Sequence, residues 1–416
     1  MIKSIVRNTF SMEIAIPPFK LLTPLTCSTL ACICLISGCN KHEDSNITRY
    51  AENDKVYRLI PGRVKDRKQW ATDILTAMDE NKDPHTLENI CSVIAIIDQE
   101  SSFHANPVVP NLAEDAKKAL FERVELKLGN IGLVRFKIML KDKPSLDDNF
   151  MSQIGKIRTE RDLDLLYRQM FDYFRDHYGL SVITGAMSLI EGHDMKEYLN
   201  PIKTLGSMQV HVNYAFKHAR ASSKSEEIRD EMYTQSGGVY YGTGRLLNYP
   251  ARYDDPIYRF ADYNSGIYSS RNAAFQQVIS KLSDIPLALD GDLLSYDKDQ
   301  NALSDRSNTE SQIDLIADQQ HWGMSVNNIR SDLLKEKDAS FEDTATYRKI
   351  NEYYKERFKK DAPYAVMPHV EISGPKLSRD YDTNWYANRV NGRYLRCANI
   401  GRHMRFNSSS TSDDDE

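Results

Sequence analysis

Glu100 is the residue on which chemistry could turn. It ends the segment Leu87–Glu100, whose middle, Ile90 to Ile97, is apolar on nearly every side. A helix of that kind is buried. A carboxyl at its end loses hydration when it ionises, so its pKa should rise. A carboxylic acid held protonated near neutral pH can protonate a glycosidic oxygen. Most glycosidases need a second carboxylate. Asp98 stands two positions before Glu100 and so points to another side of the helix. Asp262 lies far along the chain, and neither is an obvious partner. Two further segments stand out beside Gln99-Glu100-Ser101-Ser102-Phe103. They are Leu205-Gly206-Ser207-Met208-Gln209-Val210 and Phe260-Ala261-Asp262-Tyr263-Asn264-Ser265-Gly266.

In that order the three segments resemble the lytic transglycosylases of the lysozyme-like superfamily, whose pattern is E-S-x-F, then G-x-M-Q, then A-x-Y-N. Glu100, Ser101 and Phe103 match the first motif, Gly206, Met208 and Gln209 the second, and Ala261, Tyr263 and Asn264 the third. The resemblance implies a single Glu acting as acid and then base, with no water consumed. The substrate's own N-acetyl group stabilises the cationic centre, and the product is a 1,6-anhydro sugar. It also implies that Tyr263 orients Glu100, that Ser101, Gln209 and Asn264 bind the glycan, and that Met208 lines the cleft. The implied partner is the glycan strand of peptidoglycan. Tyr240, Tyr241, Tyr249, Tyr253, Tyr258 and Tyr268 flank the third motif, and their rings would suit a sugar groove.

The chain departs from that family in one respect. Glu100 and Gly206 are about a hundred residues apart, where ordinary members keep the motifs close. A long insertion is tolerated at a surface because loop closure entropy grows slowly with length. The expected architecture is mainly α. A lysozyme-like domain spans residues 67–290, with a helical insertion at about 107–200. A C-terminal extension follows over 291–406, with a solvated tail at 407–416.

Helical spacing marks the elements that must hold these groups. Trp70, Ile74, Leu75 and Met78 predict a helix over Arg67–Asn81, broken at Asp83-Pro84. Thr86 is the N-cap candidate for the helix that ends at Glu100. Further helices are expected over Arg161–Tyr178, Leu180–Glu191, Glu226–Tyr233, Val239–Leu247, Ile257–Tyr263, Asn272–Leu282 and Glu342–Phe358. Gly242 and Gly244 read as helix junctions. Residues 303–312 read as a surface loop, and 363–400 as a Pro-, Tyr- and Arg-rich stretch with short strands.

The 416 residues carry a formal net charge of −5, which argues against nucleic acid as a partner. The strongly apolar run, Leu21 to Gly38, follows Lys20 and contains Pro24. It reads as a signal peptide over residues 1–38. Ile36-Ser37-Gly38-Cys39 resembles the bacterial lipobox, which implies acylation of Cys39 and a lipidated tether over 39–66. Asn40 favours the outer membrane. The wider pattern, including Asn384 to Asn391, is similar to the uncharacterised YaiW-like lipoproteins of the Gram-negative envelope.

Cys27, Cys32 and Cys34 leave with the signal peptide, so Cys91 and Cys397 are the cysteines left in the body. An oxidising periplasm would join them and clamp the C-terminal extension to the helix of Glu100. The alternative is two buried thiols. His193, Asp194, His211 and His218 match no zinc spacing, so no metal is expected, and no cofactor fingerprint is present. Two rivals to the transglycosylase remain at this stage. One is a non-catalytic envelope scaffold that binds glycan or protein. The other is a hydrolytic lysozyme, which needs a carboxylate across from Glu100.

Overall fold

The computed structural model describes residues 52–178, 195–220, 222–297, 301–372 and 381–404. The leader, Cys39, the expected helix Leu180–Glu191 and the tail lie outside them. The protein is mainly helical, and its sheets among the described residues are two pairs of two-residue strands.

The first core starts earlier than the sequence indicated. Residues 52–59 form a helix, α1, where a polar tether was expected. Val56, Leu59 and Ile60 fall on one face at helical spacing and are buried, so this segment belongs to the body. Helix α2, Arg67–Asn81, buries Trp70, Ile74, Leu75 and Met78. Helix α3, Leu87–Glu100, starts where the Thr86 hydroxyl accepts the Asn89 N–H at 3.1 Å. Everything from Ile90 to Asp98 in it is buried.

The insertion builds its own small core. Helix α4, Leu112–Asp142, is interrupted at Gly129, where φ is +65°. Helices α5, Phe150–Lys156, and α6, Glu160–Tyr178, close over Leu112, Leu140, Phe150 and Ile154. A charged link ties α6 to the rest. The fully buried Arg229 pairs with the fully buried Asp164 at 2.7 Å, and Asn200 donates to the same carboxylate at 2.6 Å. Removing one partner of such a pair would strand a buried charge, so the contact fixes the insertion's seat.

After α7, Met195–Leu199, strands β1, Thr204–Leu205, and β2, Val210–His211, pair antiparallel with Leu205 opposite Val210. The second motif is the tight turn between them. Helices α8, Val212–Lys217, α9, Ser225–Met232, and α10, Gln235–Leu247, follow. Gly242 and Gly244 lie inside α10, where junctions were expected. A Cβ on Gly242 would stand 2.2 Å from the Met208 sulfur, so the glycine opens a place for that side chain.

Helix α11, Ile257–Ser265, carries the third motif, and α12, Ser269–Ser283, runs on into a second core. There Phe275, Val278, Ile279 and Leu282 meet α13, Asn308–Gln319, α14, Val326–Leu333, and α15, Ala345–Phe358. The expected loop at 303–312 becomes helix from Asn308, because Ser307 caps it through the Glu310 N–H at 2.9 Å. Residues 363–400 differ most from expectation. Strands β3, Glu371–Ile372, and β4, Tyr381–Asp382, are brief, and Thr383–His403 is one helix, α16. It returns to the first core and packs on α3 and α11.

Candidate active site

Three helices meet around Glu100. Helix α3 brings the acid, α11 brings Tyr263, and α16 brings Tyr386. The Tyr386 hydroxyl donates a short hydrogen bond to the Glu100 carboxyl. Burial pushes the Glu100 pKa up to about 7, against the lowering effects of the Tyr386 bond and the Arg393 charge. Glu100 as a residue is partly exposed, while desolvation dominates at its carboxyl. A carboxyl with a pKa near neutrality can give up or take a proton at neutral pH. The same burial, with the Glu100 charge beside them, raises the hydroxyl pKa values of Tyr263 and Tyr386 well above normal, so both remain donors.

The two carboxylates weighed as partners, Asp98 and Asp262, are committed elsewhere. Asp98 is buried and sits between two guanidiniums, pairing with Arg63 and with Arg393 at 3.2 Å. Asp262 has no exposed surface. It accepts hydrogen bonds from Tyr249 at 3.1 Å, Tyr253 at 2.7 Å and the Ser270 N–H at 2.7 Å. Neither is free to hold a water or to act as a nucleophile beside Glu100.

The sequence-selected residues divide by what they do here. Tyr263 lies at the site, but its hydroxyl donates to the Met208 carbonyl at 2.7 Å, and the donor to Glu100 is Tyr386 instead. Ser101 is buried, with its hydroxyl returned to the Ile97 carbonyl at 3.1 Å. Met208 has no exposed surface and packs on Gly242, so it is core and lines no cleft. Gly206 explains the second motif. Its φ is +78°, and a Cβ there would lie 2.5 Å from the Met232 carbonyl oxygen. Gln209, at φ +51°, holds the turn by donating to Glu160 at 3.2 Å and accepting from Thr204 at 3.1 Å. Asn264 donates to the Thr383 hydroxyl at 3.2 Å and so pins α11 to the start of α16.

The tyrosines near the third motif are largely structural. Tyr241, Tyr249 and Tyr268 are buried, and Tyr249 and Tyr253 satisfy Asp262. Cys91 and Cys397 are disulfide-bonded, with their Cα atoms 5.5 Å apart, which joins α3 to α16 directly. Among the described residues no cluster of His, Cys, Asp or Glu could hold a metal ion. His218 stacks on Tyr214, and His211 caps α8.

Sequence reasoning missed Tyr386 and two positive groups. Arg393 faces Asp98. Arg245 lies over the Tyr263 ring at 5.5 Å, and its Nη1 is buried with no hydrogen-bond partner. The signal for α16 was present. Thr383, Tyr386, Ala387, Val390, Cys397, Ala398 and Gly401 recur at helical spacing and are all buried.

A family model described as "Protein of unknown function (DUF1615)" matches residues 63–400. The chain belongs to that family. It is similar to the uncharacterized protein YaiW of Escherichia coli (strain K12), with 32% identity over 382 residues, covering 90% of this chain and 98% of the relative. No solved structure matches. The DUF1615 range takes in α3, the second and third motifs and α16 as far as Ile400. Glu100 and its tyrosine donor thus fall within one family unit, although 286 residues separate them. No helix among the described residues is long and apolar enough to cross a membrane.

Proposed function

We propose that this DUF1615 protein cleaves peptidoglycan glycan strands by lytic transglycosylation, with Glu100 as the single acid and base. The observation that carries the reading is the isolation of Glu100. Its pKa is raised to about 7, and the two carboxylates that could have assisted it, Asp98 and Asp262, are tied up in ion pairs and hydrogen bonds. Double-displacement or inverting hydrolysis needs a second free carboxylate. A route in which the substrate's own amide stabilises the cation does not. Tyr386 orients the acid, and its hydrogen bond stabilises the carboxylate left after proton transfer. The three matched motifs and a lysozyme-like arrangement of the first core belong to the same proposal, as does attachment to the outer membrane through acylated Cys39.

Specific observations favour a second reading, a non-catalytic envelope scaffold. The Ser101 hydroxyl, the Met208 side chain and the Asn264 amide are all engaged inside the protein. Digestion of purified sacculi by the wild type and by Glu100→Gln separates the two. Anhydro-muropeptides from the wild type alone establish the enzyme. No product from either leaves the scaffold reading.

A further inference from the structure

The insertion holds a feature that the active site does not use. Helix α4 folds back on itself at Gly129. The Lys137 ammonium lies 4.7 Å from the centroid of the Phe121 ring, and these residues sit eight positions on either side of the glycine. In a straight helix their Cα atoms would be about 24 Å apart. The two arms therefore form a hairpin, and its inner side joins the small core through Leu112, Leu140 and Phe136.

The tip and outer side are apolar and bare. Leu126 is 87% exposed, Ile131 74%, Leu128 64%, Val134 57% and Ile138 55%. Large apolar residues grouped in this way mark a docking surface. From Leu126 to Lys141 the sequence carries Lys127, Arg135, Lys137 and Lys141 and no acid, although the exposed Glu125 and Asp142 border that stretch. Arg135 and Lys141 are exposed beside the apolar residues. Aliphatic side chains flanked by cations match the boundary between anionic headgroups and acyl chains.

We propose that the α4 hairpin tip docks onto an anionic phospholipid surface. The contact gives the body a second point on the membrane, and so a fixed orientation, where a lipid anchor alone would leave it free to swivel. The proposal draws on the Cys39 anchor only for nearness to lipid. The intact mass of the chain reports acylation separately, so failure of the anchor and failure of the tip are distinguishable.

The test uses the full processed chain with vesicles of phosphatidylethanolamine and phosphatidylglycerol. With Cys91 and Cys397 bonded to each other and Cys39 acylated, a Leu128→Cys substitution supplies one free thiol for an environment-sensitive fluorophore. The expected result is a blue-shifted emission on addition of vesicles, quenched by spin-labelled lipid. The same label at Lys360→Cys stays in water. In a chain carrying Leu126→Glu and Ile131→Glu, the label at residue 128 should lose at least half of that quenching. A label at 128 that reads water in the presence of vesicles overturns the proposal. So does a label already shielded without lipid and untouched by the spin label, because protein then covers the tip. A shift that grows with protein concentration alone assigns the surface to a second copy and overturns it equally.

Discussion

Two buried carboxyls in this chain have the same acidity and opposite surroundings. Glu100 in the first core and Glu336 in the second are both raised to about 7, and burial is the first cause in each. Each accepts a short hydrogen bond from a tyrosine, Tyr386 in one case and Tyr296 in the other. Glu336, however, has no exposed surface and also accepts the Leu293 N–H. It ties the loop around residues 293–296 to the end of α14. Glu100 is partly exposed as a residue and accepts from Tyr386. A raised pKa reports burial, and burial alone does not make a site. Access is what separates an acid that can act from one that holds the fold.

The largest expected effect tests that separation directly. Glu100→Gln should lower sacculus cleavage about 10²–10⁴-fold while the protein stays folded, as circular dichroism would verify. Both carboxyls bind their protons more tightly in the fold than an ordinary glutamate, whose pKa is 4.5, does in the open chain. Each therefore withdraws stability as pH rises, with none lost well below 4.5 and the full loss reached above about 7. Glu100→Gln should thus raise the melting temperature at pH 8 relative to wild type and leave it little changed at pH 4. A variant that melts lower at pH 8 would mean that the ionised carboxylate is held favourably in the fold, against a pKa raised by burial.

The disulfide sharpens the contrast between the cores, since the first is pinned covalently. Replacing Cys91 and Cys397 together by Ala should destabilise the protein by about 2–5 kcal/mol in denaturant melts. Protection from hydrogen exchange should fall in α3 and α16 and persist in α13 and α15. Equal loss in both cores would mean they unfold as one. Glu336→Ala should cost about 1–3 kcal/mol, because the Leu293 N–H and the Tyr296 hydroxyl lose their acceptor. Cleavage per folded molecule should not change. The smallest effect is that of Tyr386→Phe, about 0.5–1.5 kcal/mol in stability. Removing the donor that lowers the Glu100 pKa should carry the alkaline limb of the pH–rate profile upward. An unmoved limb would show that Tyr386 only packs.

Much of this arrangement was legible in the sequence, and the misses have physical causes. Trp70, Ile74, Leu75, Met78 and Thr86 located α2 and α3 because large apolar residues and a capping hydroxyl leave a strong periodic trace. The acidity of Glu100 followed from the apolar run before it. Helix α16 was read as irregular because small residues make up most of its buried stripe. Ala387, Ala398, Gly401 and Cys397 bury little area and weigh little in any hydropathy pattern, yet they permit close packing. Its tyrosine was therefore invisible as a partner for Glu100. In the second motif the types were noticed but the reason was misread. Gly206 and Met208 serve a tight turn and a helix contact, and Met208 needs the space left at Gly242. No local pattern announces a contact between residues 208 and 242.

The route taken by α16 also sets the order in which the protein becomes complete. A ribosome makes Glu100 in the first quarter of the chain, whereas Tyr386, Arg393 and Cys397 come in its last tenth. A product that stops short of α16 has the acid without its donor, its opposing charge or its covalent clamp. Only a chain that includes α16 can assemble the three-helix junction around Glu100.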